Sequence, residues 1–456
     1  MTRPLVLLVL SASALVVATT GMARGVEPFA TWYYPFAWYA LLGVAESAHA
    51  LGTGRFHLLS GGAFAATLLA WSVPFWLSFE LINLRMANWY YVFLPVGGVA
   101  RWTGIVLSFA TVLPAILVAE RTLATLGVLR GARSSGFRVP SFLPSTLQAV
   151  ALAMVCAALA WPRFLYPLVW GAFTLLLDPF VYRRSPERSL LGRLAVGRPG
   201  LPSRLLVGGL GIGVLWELLN ARARGKWIYT VPGLEGLEVW EMPLPGFLGF
   251  PVLALDGWAA WQAVVLLGLA VDAPRDGGPG EPWRRPGRQG IVESGGAPRG
   301  HRAPTPPLRG PLTLSLAAAL ALLFSAAVLA GMERFTITSR TPRLESVAGA
   351  AAADLRAAGH DVFSLADASP EEVATRTPVG AAVAERWVQR ARLVTLRGIG
   401  TVHAEALQAA GIGTVEALAG ADPAALAGRL SHLETVTPAR VRVWVRGARE
   451  AVGTPR

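Results

Sequence analysis

Nine apolar runs, each near the length of a bilayer crossing, dominate this chain: residues 5–20, 32–51, 61–84, 103–126, 145–161, 165–182, 205–221, 247–271 and 312–332. A membrane-spanning helix needs about 20 predominantly apolar residues. Lipid offers no water to an open strand edge, so runs of this kind predict helices. The sequence therefore predicts an all-α polytopic membrane bundle, and a composition of 53% hydrophobic against 15% charged residues points the same way. The first run reads either as a transmembrane helix or as a signal peptide ending near Ala23.

The formal charge of +13 invites a nucleic-acid reading, but its distribution does not support one. Lys226 is the single lysine, and the remaining basic groups are Arg scattered through Ala- and Gly-rich sequence. A retinal-type Schiff base needs a lysine inside a helix, and Lys226 falls in an expected loop. The lone Cys156, inside an apolar run, excludes an intrachain disulfide, an iron–sulfur cluster and a cysteine-based zinc site. No carboxylate stands at metal-ligand spacing between His49 and His57, so no metal and no cofactor is expected.

One pattern occurs twice. Glu80-Leu-Ile-Asn83-Leu-Arg85 is followed by Trp89-Tyr-Tyr91, and 137 residues later Glu217-Leu-Leu-Asn220-Ala-Arg222 is followed by Trp227-Ile-Tyr229. Other matches lie in the same order: Tyr34-Pro-Phe-Ala-Trp38 with Tyr166-Pro-Leu-Val-Trp170, Glu46 with Asp178, and Glu120 with Asp256. A collinear array predicts a tandem duplication of a four-helix unit. An even number of helices per unit makes the copies parallel, related by an axis along the membrane normal. The second copy also argues that the first apolar run is kept as a helix.

The expected organisation is a first repeat over 1–139, a second over 140–271, a disordered Pro/Gly/Arg linker over 272–311, a ninth span over 312–332 and a soluble helical domain over 333–456. Counting loops alternately gives 19 basic residues on one side against 7 on the other. By the positive-inside rule the N-terminus and linker are cytoplasmic and the C-terminal domain extracytoplasmic, across a bacterial plasma membrane.

Within the C-terminal domain, Leu396-Arg-Gly398-Ile399-Gly400 leads into His403-Ala-Glu-Ala-Leu407-Gln-Ala-Ala-Gly411-Ile-Gly-Thr-Val-Glu-Ala-Leu418, and Asp422-Pro423 follows as a helix start. This region resembles a tandem helix-hairpin-helix module. A degenerate copy precedes it, with Leu355, Gly359, Leu365, Pro370 and Trp387 matching Leu407, Gly411, Leu418, Pro423 and Trp444. The resemblance implies that the Gly398-Ile399-Gly400 turn could offer backbone N–H groups to a phosphate. Only Arg397 flanks it, and the domain carries no basic stripe, so a protein-contact role is expected in preference to nucleic acid.

Ionisable groups inside a membrane are costly, which makes each a functional candidate. The membrane candidates are Glu80, Asn83, Arg85, Glu217, Asn220, Arg222, Asp178 and Asp256, with Trp89, Tyr91, Trp227 and Tyr229 as aromatic lining. Beyond the bilayer itself, the expected partner is a small or lipophilic molecule held between the repeats, bound or transported. Two alternatives stay open. One is a membrane enzyme using carboxyl acid catalysis on an isoprenoid or polyene lipid, loosely similar to membrane carotenoid cyclases. The other is a scaffold, or a nucleic-acid-binding protein, acting through the C-terminal domain. Simpler roles compete at each position: Glu–Arg neutralisation that sets bundle registry, and aromatic anchoring at the membrane interface.

Overall fold

The structure, a computed structural model, describes residues 2–231, 233–234, 237–273 and 308–453. The linker expected at 272–311 lies, apart from its ends, outside the described residues. In chain order the long elements are α1 (Arg3–Ala23), α2 (Phe29–Thr53), α3 (Gly62–Met86), β1 (Trp89–Val92), α4 (Gly98–Phe109), α5 (Val112–Thr125), α6 (Leu143–Ala160), α7 (Pro162–Leu165), α8 (Ala172–Arg184), α9 (Leu190–Ala195), α10 (Gly200–Arg222), β2 (Lys226–Tyr229), β3 (Glu238–Val239), β4 (Met242–Pro243), α11 (Gly249–Leu266) and α12 (Pro311–Phe335). Short helices follow to Gly453. The fold is all-α apart from two small two-stranded ladders.

Among the described residues eight helices, not nine, are long and apolar enough to cross a membrane, which fits an integral membrane protein. The missing one is the expected run 32–51. It does form a helix, α2, but one that carries the buried polar side chains of Glu46, Ser47 and His49. It packs on α1 and α5, so its polar groups turn into protein and its mean hydropathy falls below that of its neighbours.

Two compact units divide the chain, and they cut across its linear order. The first comprises Met1–Met86, Thr103–Leu219 and Leu244–Val328; the second comprises Ala87–Trp102, Asn220–Pro243 and Leu329–Arg456. The segments that follow each Glu/Asn/Arg motif thus group with the C-terminal region.

In the first unit the same pairings occur twice. Helix α2 packs on α1 and α5, and α8 packs on α6 and α11. Helices α10 and α11 approach closely because Gly209 and Gly213 lie one turn apart, where a side chain on either would collide with Phe250. Small residues at this spacing are how membrane helices achieve tight contact without a hydrophobic driving force.

The second unit holds a helical module with one continuous apolar core that includes Leu355, Leu365, Leu407, Leu418 and Trp444. Its helix starts are capped as the sequence demands. Asp422 accepts from the Ala425 N–H at 2.7 Å ahead of Pro423–Arg429, and Ser369 accepts from the Glu372 N–H at 3.1 Å ahead of Pro370–Arg376. Buried His403 packs on Trp444, donates from Nδ1 to the Ile399 carbonyl (2.8 Å) and accepts at Nε2 from the Thr435 hydroxyl (2.8 Å).

Burial lowers the His403 pKa; the Ile399 carbonyl opposes this and Arg440 adds to it. The unfolded imidazole, near 6.5, binds a proton that the folded one refuses. The unfolded state therefore binds more protons below that value, and this contribution to stability is lost as the pH falls through it. The urea midpoint of the module should drop between about pH 7.5 and about pH 5. His403→Gln should flatten that drop; an unchanged slope would remove His403 as its source.

Candidate functional site

Once the first unit folds, its intramembrane acids separate into two kinds. Glu46, Asp178 and Asp256 serve backbone N–H groups. Glu46 accepts from the N–H of His57 (2.5 Å) and of Leu59 (3.1 Å), where the chain re-enters after α2. Asp178 accepts from the Ser189 hydroxyl (2.7 Å) and from the N–H groups of Leu190 (2.8 Å) and Leu191 (2.9 Å), at the start of α9. Asp256 accepts from the Gly171 N–H (2.9 Å) and from both the N–H and hydroxyl of Thr174 (2.6 Å each), at the start of α8. The first turn of a helix leaves donors without intrahelical partners, and each carboxylate satisfies some of them. Glu120 instead pairs with Arg204, with Oε1 2.7 Å from Nη2. The sequence-matched residues Glu120 and Asp256 thus do different work.

Glu80 and Glu217 are of the other kind. Both are fully buried, and each follows an aromatic residue in its helix. The Trp76 indole N–H donates to Glu80 at 3.0 Å, and Tyr34 lies within electrostatic reach of Glu217. Phe79, just before Glu80, stacks on Trp170 with ring centroids 5.4 Å apart. Trp216, just before Glu217, packs edge-on against Trp38 at 5.7 Å. The Trp of each Tyr-Pro-x-x-Trp motif therefore packs against the ring that precedes the glutamate of the other copy. Trp76 lies against both ring pairs, 5.6 Å from Phe79 and 6.4 Å from Trp216.

Asn83 is fully buried, whereas Arg85 at the end of the same helix is exposed. Arg222 is exposed as well, and among the described residues neither arginine forms an ion pair. The neutralisation of each glutamate by the arginine of its own motif is therefore not what the fold uses. At i+5 from the glutamate, each arginine turns away from the glutamate's face.

In the second unit Asn220 is a positioning residue. Its amide brackets Trp227, with Nδ2 donating to the Trp227 carbonyl (2.9 Å) and Oδ1 accepting from its N–H (3.0 Å). This fixes the start of β2. The two Trp-x-Tyr segments then pair with each other as antiparallel strands, with Trp89 opposite Tyr229 and Tyr91 opposite Trp227. Side chains alternate along a strand, so all four rings expected as aromatic lining share one face. The Trp227 indole donates to the Tyr229 hydroxyl at 2.9 Å. Tyr90, Val92 and Ile228 occupy the opposite face and form a cluster with Val443 and Phe363.

Residues 336–341 run parallel to β1, joined to it by isolated bridges from Ile337 to Tyr91 and from Arg340 to Leu94. The Tyr91 N–H donates to the Thr336 carbonyl (2.8 Å), and the Thr338 N–H to that of Tyr91 (2.9 Å). The Gly398-Ile399-Gly400 turn closes against this sheet. Gly398 (φ +74°) lies against Val92 and Gly400 (φ +71°) against Ser339, with no room for a Cβ at either. The Tyr90 hydroxyl donates to the Arg397 carbonyl at 3.0 Å, and the Arg440 guanidinium covers its ring at 5.0 Å.

Charge completes the arrangement. Glu241 binds Lys226 and Arg397, each at 2.7 Å, and Glu238 binds Arg446 at 2.6 Å. Burial raises the Glu241 carboxyl pKa, but Lys226 and Arg397 together hold it below the ordinary carboxylate value. Sequence reasoning missed Tyr90, Trp38, Trp170, Phe79 and Trp216. Trp38 and Trp170 were visible as members of matched motifs, Phe79 and Trp216 as the residues just before the matched glutamates, and Tyr90 as the residue between the two lining rings of the first strand. Among the described residues no group of three or more His, Cys, Asp or Glu is placed to hold a metal ion.

Residues 360–450 match a family described as a domain of unknown function, DUF4332. No curated protein and no solved structure matches the chain.

Proposed function

We propose that the membrane unit is a pseudo-twofold pair of four-helix repeats that holds a small or lipophilic molecule beside Glu80 and Glu217. The observation that carries this reading is the reciprocal packing of Trp38 on Trp216 and of Trp170 on Phe79 around two fully buried glutamates. Carboxyls sunk among indole and phenyl faces suit a ligand with an apolar body and a polar or cationic end. The recurrence of Glu46 and Asp178 as acceptors for the segment that follows their helices supports the duplication. The Arg distribution supports a cytoplasmic N-terminus and an extracytoplasmic C-terminal module.

In that module the Gly398-Ile399-Gly400 turn lies on Val92 and Ser339. This supports a helix-hairpin-helix-like fold turned to protein contact in place of phosphate binding. One observation also favours an enzyme: a buried carboxyl flanked by aromatic rings has the makings of a general acid, with the rings sheltering the carbocation that protonation creates.

The test is extraction of the purified full-length protein and mass spectrometry of what leaves with it. The wild type should carry a discrete lipophilic or small molecule that is lost from Glu80→Gln and Glu217→Gln at unchanged membrane level. Identical extracts from all three, or variants that fail to accumulate, would assign these glutamates to packing. Conversion of that molecule on incubation would select the enzyme, and saturable flux without product a transporter.

A further inference from the structure

The β3–β4 hairpin is built inside out. Glu238 and Glu241 turn inward to bind Arg446, and Lys226 with Arg397, at 2.6–2.7 Å. Leu237, Val239 and Trp240 turn outward and are 59%, 40% and 40% exposed. Trp240 sits at the tip with φ +58°, a left-handed conformation that costs any residue carrying a Cβ. A solvated hairpin tip would place its charges outside and a glycine or asparagine at such a position. Here the charges are internal, and a large ring is held outward on a strained backbone.

Chain connectivity limits what this surface can meet. The span Leu244–Leu266 begins four residues after Trp240. Four residues reach at most about 14 Å, so the tip cannot leave the neighbourhood of the bilayer surface at which that span starts. We propose that the Val239–Trp240 tip is a lipid-binding element, inserted among the headgroups and upper acyl chains of that leaflet. Trp is suited to this depth, because its ring is amphipathic and its indole N–H finds partners at the headgroup level. Burying the apolar side chains at the tip while both acids stay paired inside leaves the hairpin no charge to desolvate.

The proposal is tested on the full-length chain in phosphatidylcholine–phosphatidylglycerol vesicles, with Cys156→Ala removing the native thiol. A nitroxide on Val239→Cys should be accessible to oxygen and several-fold less accessible to a water-soluble nickel chelate than one on Val402→Cys, an exposed site of the helical module. Trp240→Gly relieves the left-handed backbone, so it should leave the fold intact while shifting the Val239 label toward water. Equal nickel access at Val239 and Val402 would overturn the lipid assignment and give the surface to a protein partner. A label that stays immersed after Trp240→Gly would overturn the role of the ring.

Discussion

Replacing Gly398 with valine should be the most damaging single change in the second unit. At φ +74° a side chain costs about 1–2 kcal/mol on conformation alone. The new Cβ would also be driven into Val92, and forced overpacking of this kind typically adds about 1–3 kcal/mol. A total loss of roughly 2–5 kcal/mol is expected. It should be visible as a lower thermal midpoint and as faster proteolysis within residues 336–453. Gly411→Val separates the two causes. Gly411 has φ +79° but no neighbour within reach of a Cβ, so only the conformational share should appear. Equal losses at the two positions would mean that contact with Val92 contributes nothing.

The second large effect is expected at Asp256. Removing the fully buried carboxylate by Asp256→Ala strips partners from the half-buried N–H groups of Gly171 and Thr174 and from the Thr174 hydroxyl. A buried polar group left unsatisfied costs about 1–3 kcal/mol, so a loss on the order of 3–5 kcal/mol is expected. Size-exclusion chromatography in detergent after a temperature ramp would register it as early aggregation. Asp256→Asn keeps an acceptor and should lose less. Under the reading of Glu217 as a ligand contact, Glu217→Gln should leave the same curve near wild type. If Asp256→Ala melts with the wild type, the capping role is wrong.

These two residues mark where sequence reading succeeds and where it stops. The positions of the long helices follow from hydropathy, because an apolar run in lipid has few other options. Hydropathy counts residues without knowing which way they face, so α2 falls below its neighbours on account of an acid and an imidazole that are turned into protein. The intramembrane acids were visible, but their roles were not. Asp256 meets donors some 82–85 residues away, and nothing local to its helix distinguishes it from Glu217. The motif Glu-Leu-x-Asn-x-Arg reads as one polar cluster, yet its members diverge. The glutamate turns inward, Asn220 fixes the strand that follows, and the arginine points out. Spacing along a helix gives relative direction but not what waits there. The turn at Gly398 could be recognised as a close-approach turn, but its occupant, Val92, lies 306 positions earlier in the chain.

Under the proposed duplication, the register of β1 against β2 has an ancestral meaning. With Trp89 facing Tyr229 and Tyr91 facing Trp227, a half-turn about the ladder's centre exchanges the two strands and returns the same arrangement. That is an isologous contact, the kind by which two identical subunits close on each other. A half-length chain with a single Trp-x-Tyr strand would already possess a self-complementary edge and could form a homodimer through it. Fusion of two such halves would then have freed each copy to drift. Residues 336–341, which bridge to β1 at Tyr91 and Leu94, would then mark where two edges that began alike took different neighbours.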